Sequence, residues 1–159
     1  MKTNKSIFIL VAIVILLFNT NCFSQESETY VITLNVDTST INSQNESAVS
    51  NFGQEEGVSN EDFTISVRVG DTIIWQGKSI SAPDQDVVNI VSINHEGGTN
   101  IFDENILKGD GGFPERVVRT VVNGNVGEFI KYKISFTVLN NGEKRQGTYH
   151  IDPKIVIKS

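Results

Sequence analysis

The two histidines have the most specific chemistry in this chain, because imidazole binds transition metals and exchanges protons near neutral pH. His95 stands directly before Glu96, and His150 lies two residues before Asp152. Two imidazoles with a neighbouring carboxylate would suit zinc or copper(II). No spacing requires the two histidines to meet, and a histidine on a sheet surface needs no ligand. A metal site at His95 and His150 is therefore one hypothesis, with ordinary surface histidines as the preferred interpretation.

Acidic side chains around a glycine-rich segment form a second candidate site. Asn100, Asp103, Glu104 and Asp110 flank or enter the Gly-Asp-Gly-Gly segment 109–112. Calcium takes oxygen ligands from such loops, but this spacing matches no EF-hand loop. Solvated loop acids are the preferred interpretation, and a calcium-stabilised glycan-binding module is kept as an alternative.

Catalytic patterns are missing from the sequence. It contains no Gly-x-Ser-x-Gly elbow for a serine nucleophile, and segment 109–112 lacks the Lys-Ser/Thr pair of a phosphate-binding loop. No serine, histidine or carboxylate stands in a motif that supplies it with a partner. We therefore expect a protein that is not an enzyme and uses no cofactor.

The N-terminus has the layout of a secretory signal peptide. Lys2 and Lys5 precede an unbroken apolar run at 7–18, and Ser24 ends a segment with small residues at the cleavage positions. The sequence predicts a signal peptide over 1–24, with export of the remainder to the periplasm or the cell exterior. In the alternative interpretation, Cys22 becomes the acylated first residue of a lipoprotein.

Removal of the signal peptide changes the composition of the part that folds. It removes two of 13 basic residues and no acid, leaving 11 against 19 and a net charge of −8. It also removes the only cysteine, and with it any disulfide or thiolate ligand. An acidic domain is a poor partner for nucleic acid. The twelve-residue apolar run is shorter than the roughly 20 residues that span a bilayer, so no transmembrane segment is expected after cleavage.

The remaining sequence alternates apolar and polar residues with the period of a β-strand. The alternating stretches are 30–36, 63–69, 130–138 and 149–157, and shorter apolar segments lie at 72–75, 87–93 and 117–122. The apolar residues of segment 87–93 follow one another with little interruption, which predicts a strand buried on both faces. Asn123-Gly124 and Asn141-Gly142 predict hairpin turns.

These strands predict an all-β domain over 25–159, an antiparallel β-sandwich of seven to eight strands. The polar segment 38–60 is expected to be a long mobile loop within that single domain. Lys131 and Lys133 alternate on one strand, as lysines do where they protect a sheet edge.

Two segments resemble cupredoxin-like domains. Val67-Arg68-Val69-Gly70-Asp71-Thr72-Ile73-Ile74-Trp75 resembles their strand, Gly-Asp turn and Trp-ending strand, and Gly147-Thr148-Tyr149 resembles the strand before their copper loop. The resemblance implies a cupredoxin-like fold, with an immunoglobulin-like sandwich as the alternative. Copper is not expected to be bound in the family's way, because no His stands among residues 76–83 directly after Trp75 and neither Cys nor Met follows Tyr149. Trp75 is then expected in the core rather than in a ligand site.

The function that the sequence favours is an exported, non-enzymatic binding or interaction module with a protein or glycan partner of unknown identity. A divergent cupredoxin-like metal-binding protein that uses His95 and His150 is the first alternative. The calcium-stabilised glycan-binding module is the second.

Overall fold

The computed structural model describes residues 26–159, so the predicted signal peptide and Cys22 lie outside the described residues. Within that range the chain forms strands and turns, and no helix there is long and apolar enough to cross a membrane. The strands are β1 (Thr29–Val36), β2 (Ser50–Asn51), β3 (Thr64–Val67), β4 (Thr72–Ser79), β5 (Val87–Gly98), β6 (Ile106–Lys108), β7 (Val117–Thr120), β8 (Phe129–Asn140), β9 (Glu143–Lys144), β10 (Tyr149–Ile151) and β11 (Lys154–Ile157).

The strands form two sheets around one core. Sheet A has the order β2-β1-β4-β7, and sheet B has the order β3-β11-β8-β5-β6, with β9 and β10 also paired to β8. Seven strands have four residues or more, so the all-β prediction is confirmed.

The prediction of purely antiparallel sheets is wrong. β1 runs parallel to β4 in sheet A, and β3 runs parallel to β11 in sheet B. Between β1 and β4 the chain adds β2 to sheet A and then β3 to sheet B, so β4 returns beside β1 in the same direction. Alternation reports the period of a strand but not the direction of its neighbour, so the sequence could not distinguish these cases. The cupredoxin-like assignment stays a prediction.

The twelve-residue strand β8 is the centre of sheet B. β5 pairs along one edge of it from Gly98 to Val87, while β11, β10 and β9 follow one another along the other edge. Alternate residues of β8 therefore face the core, and their neighbours face away from it.

Trp75 sits at the middle of the core. It is fully buried, and its ring makes edge contacts with Phe102 and Tyr132 at centroid distances of 5.7 and 5.8 Å. The prediction that this tryptophan packs in the core is confirmed. The same core cluster contains aliphatic and aromatic residues from both sheets, including Ile32, Leu34, Ile73, Val117, Ile90, Ile93, Ile130, Ile134, Phe136 and Ile155.

One of the two predicted hairpins is confirmed. Asn141 and Gly142 join β8 to β9 with φ values of 52° and 81°, as a type I′ turn requires. The hairpin at Asn123-Gly124 is wrong, because β7 belongs to sheet A and β8 to sheet B, and the chain crosses between them here. Glycine is needed at 124 because a Cβ would lie 2.9 Å from Cγ1 of Ile157.

The segment 87–93 is buried only in part. Its register to β8 shifts between Ile90 and Ser92, and the irregularity leaves Val91 37% exposed. A bulge of this kind turns one side chain out of the alternating pattern, which the run of apolar letters did not reveal.

The polar segment 38–60 is a loop that packs against the sheets. It contains β2, it buries Ile41, and the Asn60 side-chain amide donates to the carbonyl of Ser50 at 3.0 Å. Phe52 stacks on Phe63 at 4.5 Å. A few apolar side chains and one buried amide therefore attach this largely polar segment to the two sheets.

Asp86 connects this loop to the end of β8. Its buried carboxylate accepts hydrogen bonds from the Thr38 hydroxyl at 2.5 Å, the Asn140 amide at 2.7 Å and the Asn141 backbone N–H at 2.9 Å. These donors, the Thr38 hydroxyl foremost, lower the pKa of Asp86. Near it, hydrogen bonds from Ser39 and Thr40 lower the pKa of Asp37 to about 2.

A lowered carboxyl pKa predicts loss of stability in acid. The stabilisation is complete above the unfolded-state pKa of about 3.9 and is lost as the pH falls through the folded-state value. We expect the unfolding free energy to decline below about pH 4, and to decline less steeply in Asp86→Asn, which has no carboxylate to protonate. Urea titrations from pH 6 to pH 2 measure the slopes, with Asp84→Asn from the same turn as the control. Equal slopes in both variants would contradict this role of Asp86.

Candidate interaction surface

The predicted histidine pair is not brought together. His95 on β5 lies opposite Tyr132, and His150 on β10 lies opposite Ser135. Because β5 and β10 flank β8 on its two edges, strand spacings place the histidine Cα atoms about 14 Å apart. Tyr132 and Ser135 are three positions apart on β8, so the two imidazoles also leave opposite faces of the sheet.

Each imidazole contacts a different group. His95 Nε2 lies 3.1 Å from the carbonyl of Gly98, and His150 Nδ1 lies 3.2 Å from the hydroxyl of Ser135. In the described part of the chain, no three His, Cys, Asp or Glu side chains are grouped so that they could hold a metal ion. Within residues 26–159, no hydrogen bond joins the His150 ring to a third group of the kind that orients the base in a catalytic triad.

The loop acids bind donors of their own chain. Asp103 accepts from the Asn123 amide, and Glu104 forms an ion pair with Arg119. Asp110 accepts from the Gly112 N–H at 2.9 Å and pairs with Arg116 at 3.0 Å. These donors, with the Gly112 N–H first, lower the pKa of Asp110. Asn100 pairs with Asn105, so the predicted oxygen ligands are engaged separately.

Among residues 26–159, the aromatic rings do not form a flat platform for a sugar. Trp75, Tyr132 and Phe136 are buried, and Tyr30 is half-buried against the core. Phe113 and Phe129 are 74% and 51% exposed, but Phe113 lies in the loop between β6 and β7 and Phe129 is the first residue of β8. The glycan-binding alternative therefore lacks a flat row of exposed rings.

Lys131 and Lys133 do not protect an edge, because β8 is the central strand of its sheet. Lys133 Nζ lies 2.5 Å from Glu96 Oε1, and that hydrogen bond raises the pKa of the lysine. The edge-protection prediction is wrong because the sequence shows that a strand is charged but not where it lies in the sheet.

The outer face of sheet A is almost free of charge. Its cross-strand register places Val31 beside Ile74 and Ile74 beside Val118, which gives an apolar row across three strands. Val31 and Val118 are 55% and 44% exposed. The flanking rows are Thr29, Thr72 and Thr120 on one side and Thr33 and Gln76 on the other, and Lys78 is the charged residue of β4 on this face.

β1 also has an open edge. One side of the strand pairs with β4 along its whole length, but the other side pairs with β2 only at Asn35 and Val36. From Thr29 to Leu34, that second side has no ladder partner among residues 26–159. Backbone N–H and C=O groups along such an edge are a template for another strand.

The other edges of the described sheets are shorter or carry charge. β3 has four residues and lies between Asp62 and Arg68, whereas β1 has eight residues with neither charge nor proline. Three further edge strands have charged members, which are Lys108 in β6, Arg119 in β7, and Glu143 and Lys144 in β9. The uncharged edge strands β2 and β10 have only two and three residues. Charge, proline and shortness are the usual protections of a sheet edge, and β1 lacks all three.

Sequence reasoning identified β1 as a strand but missed its exposed edge. The signal available was the uncharged run Thr-Tyr-Val-Ile-Thr-Leu-Asn-Val at 29–36 in a chain with 20% charged residues. An uncharged run has no special meaning in a central strand, and only the sheet order shows that β1 lies next to a two-residue edge strand.

Comparison with known proteins identifies a similar fold. The crystal structure of the inclusion body protein PixA from Burkholderia cenocepacia J2315 matches with a TM-score of 0.57 and 15% sequence identity. The match covers 85% of this chain and 98% of that one. No protein-family model matches the chain, and no curated protein matches it. At this identity the likeness concerns the fold alone.

Proposed function

We propose that this protein is an exported, non-enzymatic interaction module that binds another protein through sheet A. The observation that carries the proposal is the open edge of β1, where an unpaired and uncharged stretch from Thr29 to Leu34 borders the apolar row of Val31, Ile74 and Val118. Export is proposed on the N-terminal sequence pattern alone.

An open strand edge can bind a partner by strand addition. An extended segment that lies along β1 would form backbone hydrogen bonds, and its alternate side chains would extend the outer face of sheet A. The neutral outer face favours such an approach, because no charged side chain must be desolvated at Val31 or Ile74. Neither catalysis nor a cofactor is needed for this activity.

Site-specific photo-crosslinking tests the proposal. A benzophenone amino acid placed at Val31 in producing cells is expected to yield a discrete covalent adduct. The same group at Val126, a valine with 69% exposure outside the strands, is the matched control. The proposal fails if position 31 gives no adduct, or if both positions give the same adducts.

A further inference from the structure

We propose that the protein bound at β1 is a second copy of this chain, with the two β1 strands antiparallel about a two-fold axis at Val31. This inference rests on the proposed function, since it names the partner for the same edge. It predicts one continuous sheet of eight strands, four from each copy.

The free length of the edge suits a copy of itself. β2 occupies the edge at Asn35 and Val36, so an added strand can pair only before that point. In a two-fold arrangement about Val31, Thr29 lies opposite Thr33 and Tyr30 lies opposite Ile32. The paired residues 29–33 of both copies then lie before the point where β2 begins.

The alternation of β1 also agrees with this register. Residues directly opposite in an antiparallel pair point to the same face. With the axis at Val31, partners differ by an even number of positions, so Tyr30 and Ile32 both face the core side. Thr29, Thr33 and the two Val31 side chains all face outward, and the apolar row of sheet A becomes continuous across the axis.

Charge favours this edge over other surfaces for self-association. The chain has 13 basic and 19 acidic residues, so two copies repel each other over most approaches. The paired strands contain no charged residue. The nearest acid, Glu28, already lies 3.4 Å from Arg68 and 3.8 Å from Lys158 of its own chain.

A charge-swap experiment tests the contact. In this arrangement Val31 lies opposite Val31 of the partner, where like charges directly opposed destabilise a strand pair. We expect the wild-type protein to sediment as a dimer, Val31→Lys and Val31→Glu each to sediment as monomers, and an equimolar mixture of the two variants to form a dimer again. Val126→Lys and Val126→Glu are the matched controls and should remain dimers. Because Val31 is 55% exposed, its variants should keep a wild-type circular dichroism spectrum and a cooperative unfolding transition, which separates lost association from lost folding.

Two outcomes overturn the inference. One is a wild-type protein that is monomeric even at a concentration of about 1 mM. The other is a dimer that survives both Val31 substitutions. If the wild type is monomeric while a photo-crosslink at Val31 still captures a different protein, the second copy is wrong and the interaction module remains. If neither a dimer nor an adduct is found, both proposals fail.

Discussion

Trp75→Ala should lower the unfolding free energy by about 3–5 kcal/mol, the range for removing a large aromatic side chain from a packed core. Trp75 is fully buried and makes edge contacts with both Phe102 and Tyr132. Its neighbours come from both sheets, so they cannot all move inward to fill the space that the indole leaves. Urea unfolding followed by circular dichroism measures the loss, because Trp75 is the only tryptophan and the variant has no indole fluorescence.

Tyr132→Phe is the informative control for this prediction. Burial raises the pKa of Tyr132, against a smaller opposing effect of the Trp75 indole. Neither the Tyr132 hydroxyl nor the Trp75 N–H has a partner with hydrogen-bond geometry in the part of the chain that the structure describes. Removing an unpaired buried hydroxyl should leave stability unchanged or raise it by about 1 kcal/mol. This description of the core would be contradicted if Trp75→Ala lowered the unfolding free energy by less than about 1 kcal/mol. It would also be contradicted if Tyr132→Phe lowered the unfolding free energy by more than about 1 kcal/mol.

The second large effect is expected at Asp71, whose buried carboxylate holds the start of β1. Oδ1 accepts from the Glu28 backbone N–H at 2.9 Å, and Oδ2 accepts from the Arg68 backbone N–H at 2.7 Å. Asp71→Ala removes both acceptors, and hydrogen bonds to charged groups are worth about 1.5–3 kcal/mol each. We expect a loss of about 3 kcal/mol in urea unfolding, together with faster amide exchange at the beginning of β1.

Asp71→Asn tests how much each of the two carboxylate oxygens contributes to stability. An amide keeps one acceptor oxygen but turns its NH2 group toward the other backbone N–H, so the variant should lie between wild type and Asp71→Ala. If Asp71→Ala is as stable as the wild type, the carboxylate does not hold the start of β1.

The strands were predictable because burial on one face leaves a period of two in the sequence. Tyr30, Ile32 and Leu34 predicted β1, and the residues that face the core from β8 did the same for the central strand. Partners and directions were not predictable. The parallel pairing of β1 with β4 depends on which sheet the chain visits between them, and no local pattern records that path.

For the candidate site, too, the residue types were predictable from the sequence and their positions in the sheets were not. His95, His150 and the loop acids were selected for their chemical types. The strand pairing places the two histidines on different strands and faces, and the loop acids bind separate donors of their own chain. The open edge of β1 contains no reactive group at all. Its significance comes from a missing ladder partner beside an uncharged strand, which is a property of the sheet rather than of any residue.

Amide hydrogen exchange of β1 measured at increasing protein concentration tests the central claim most directly. If a second copy pairs with the open edge, amides between Thr29 and Leu34 should gain protection as the concentration rises. The same amides in Val31→Lys should show none of this gain, and amides of β8 should be unaffected in both proteins. Protection of β1 that is independent of concentration in the wild type would contradict the claim.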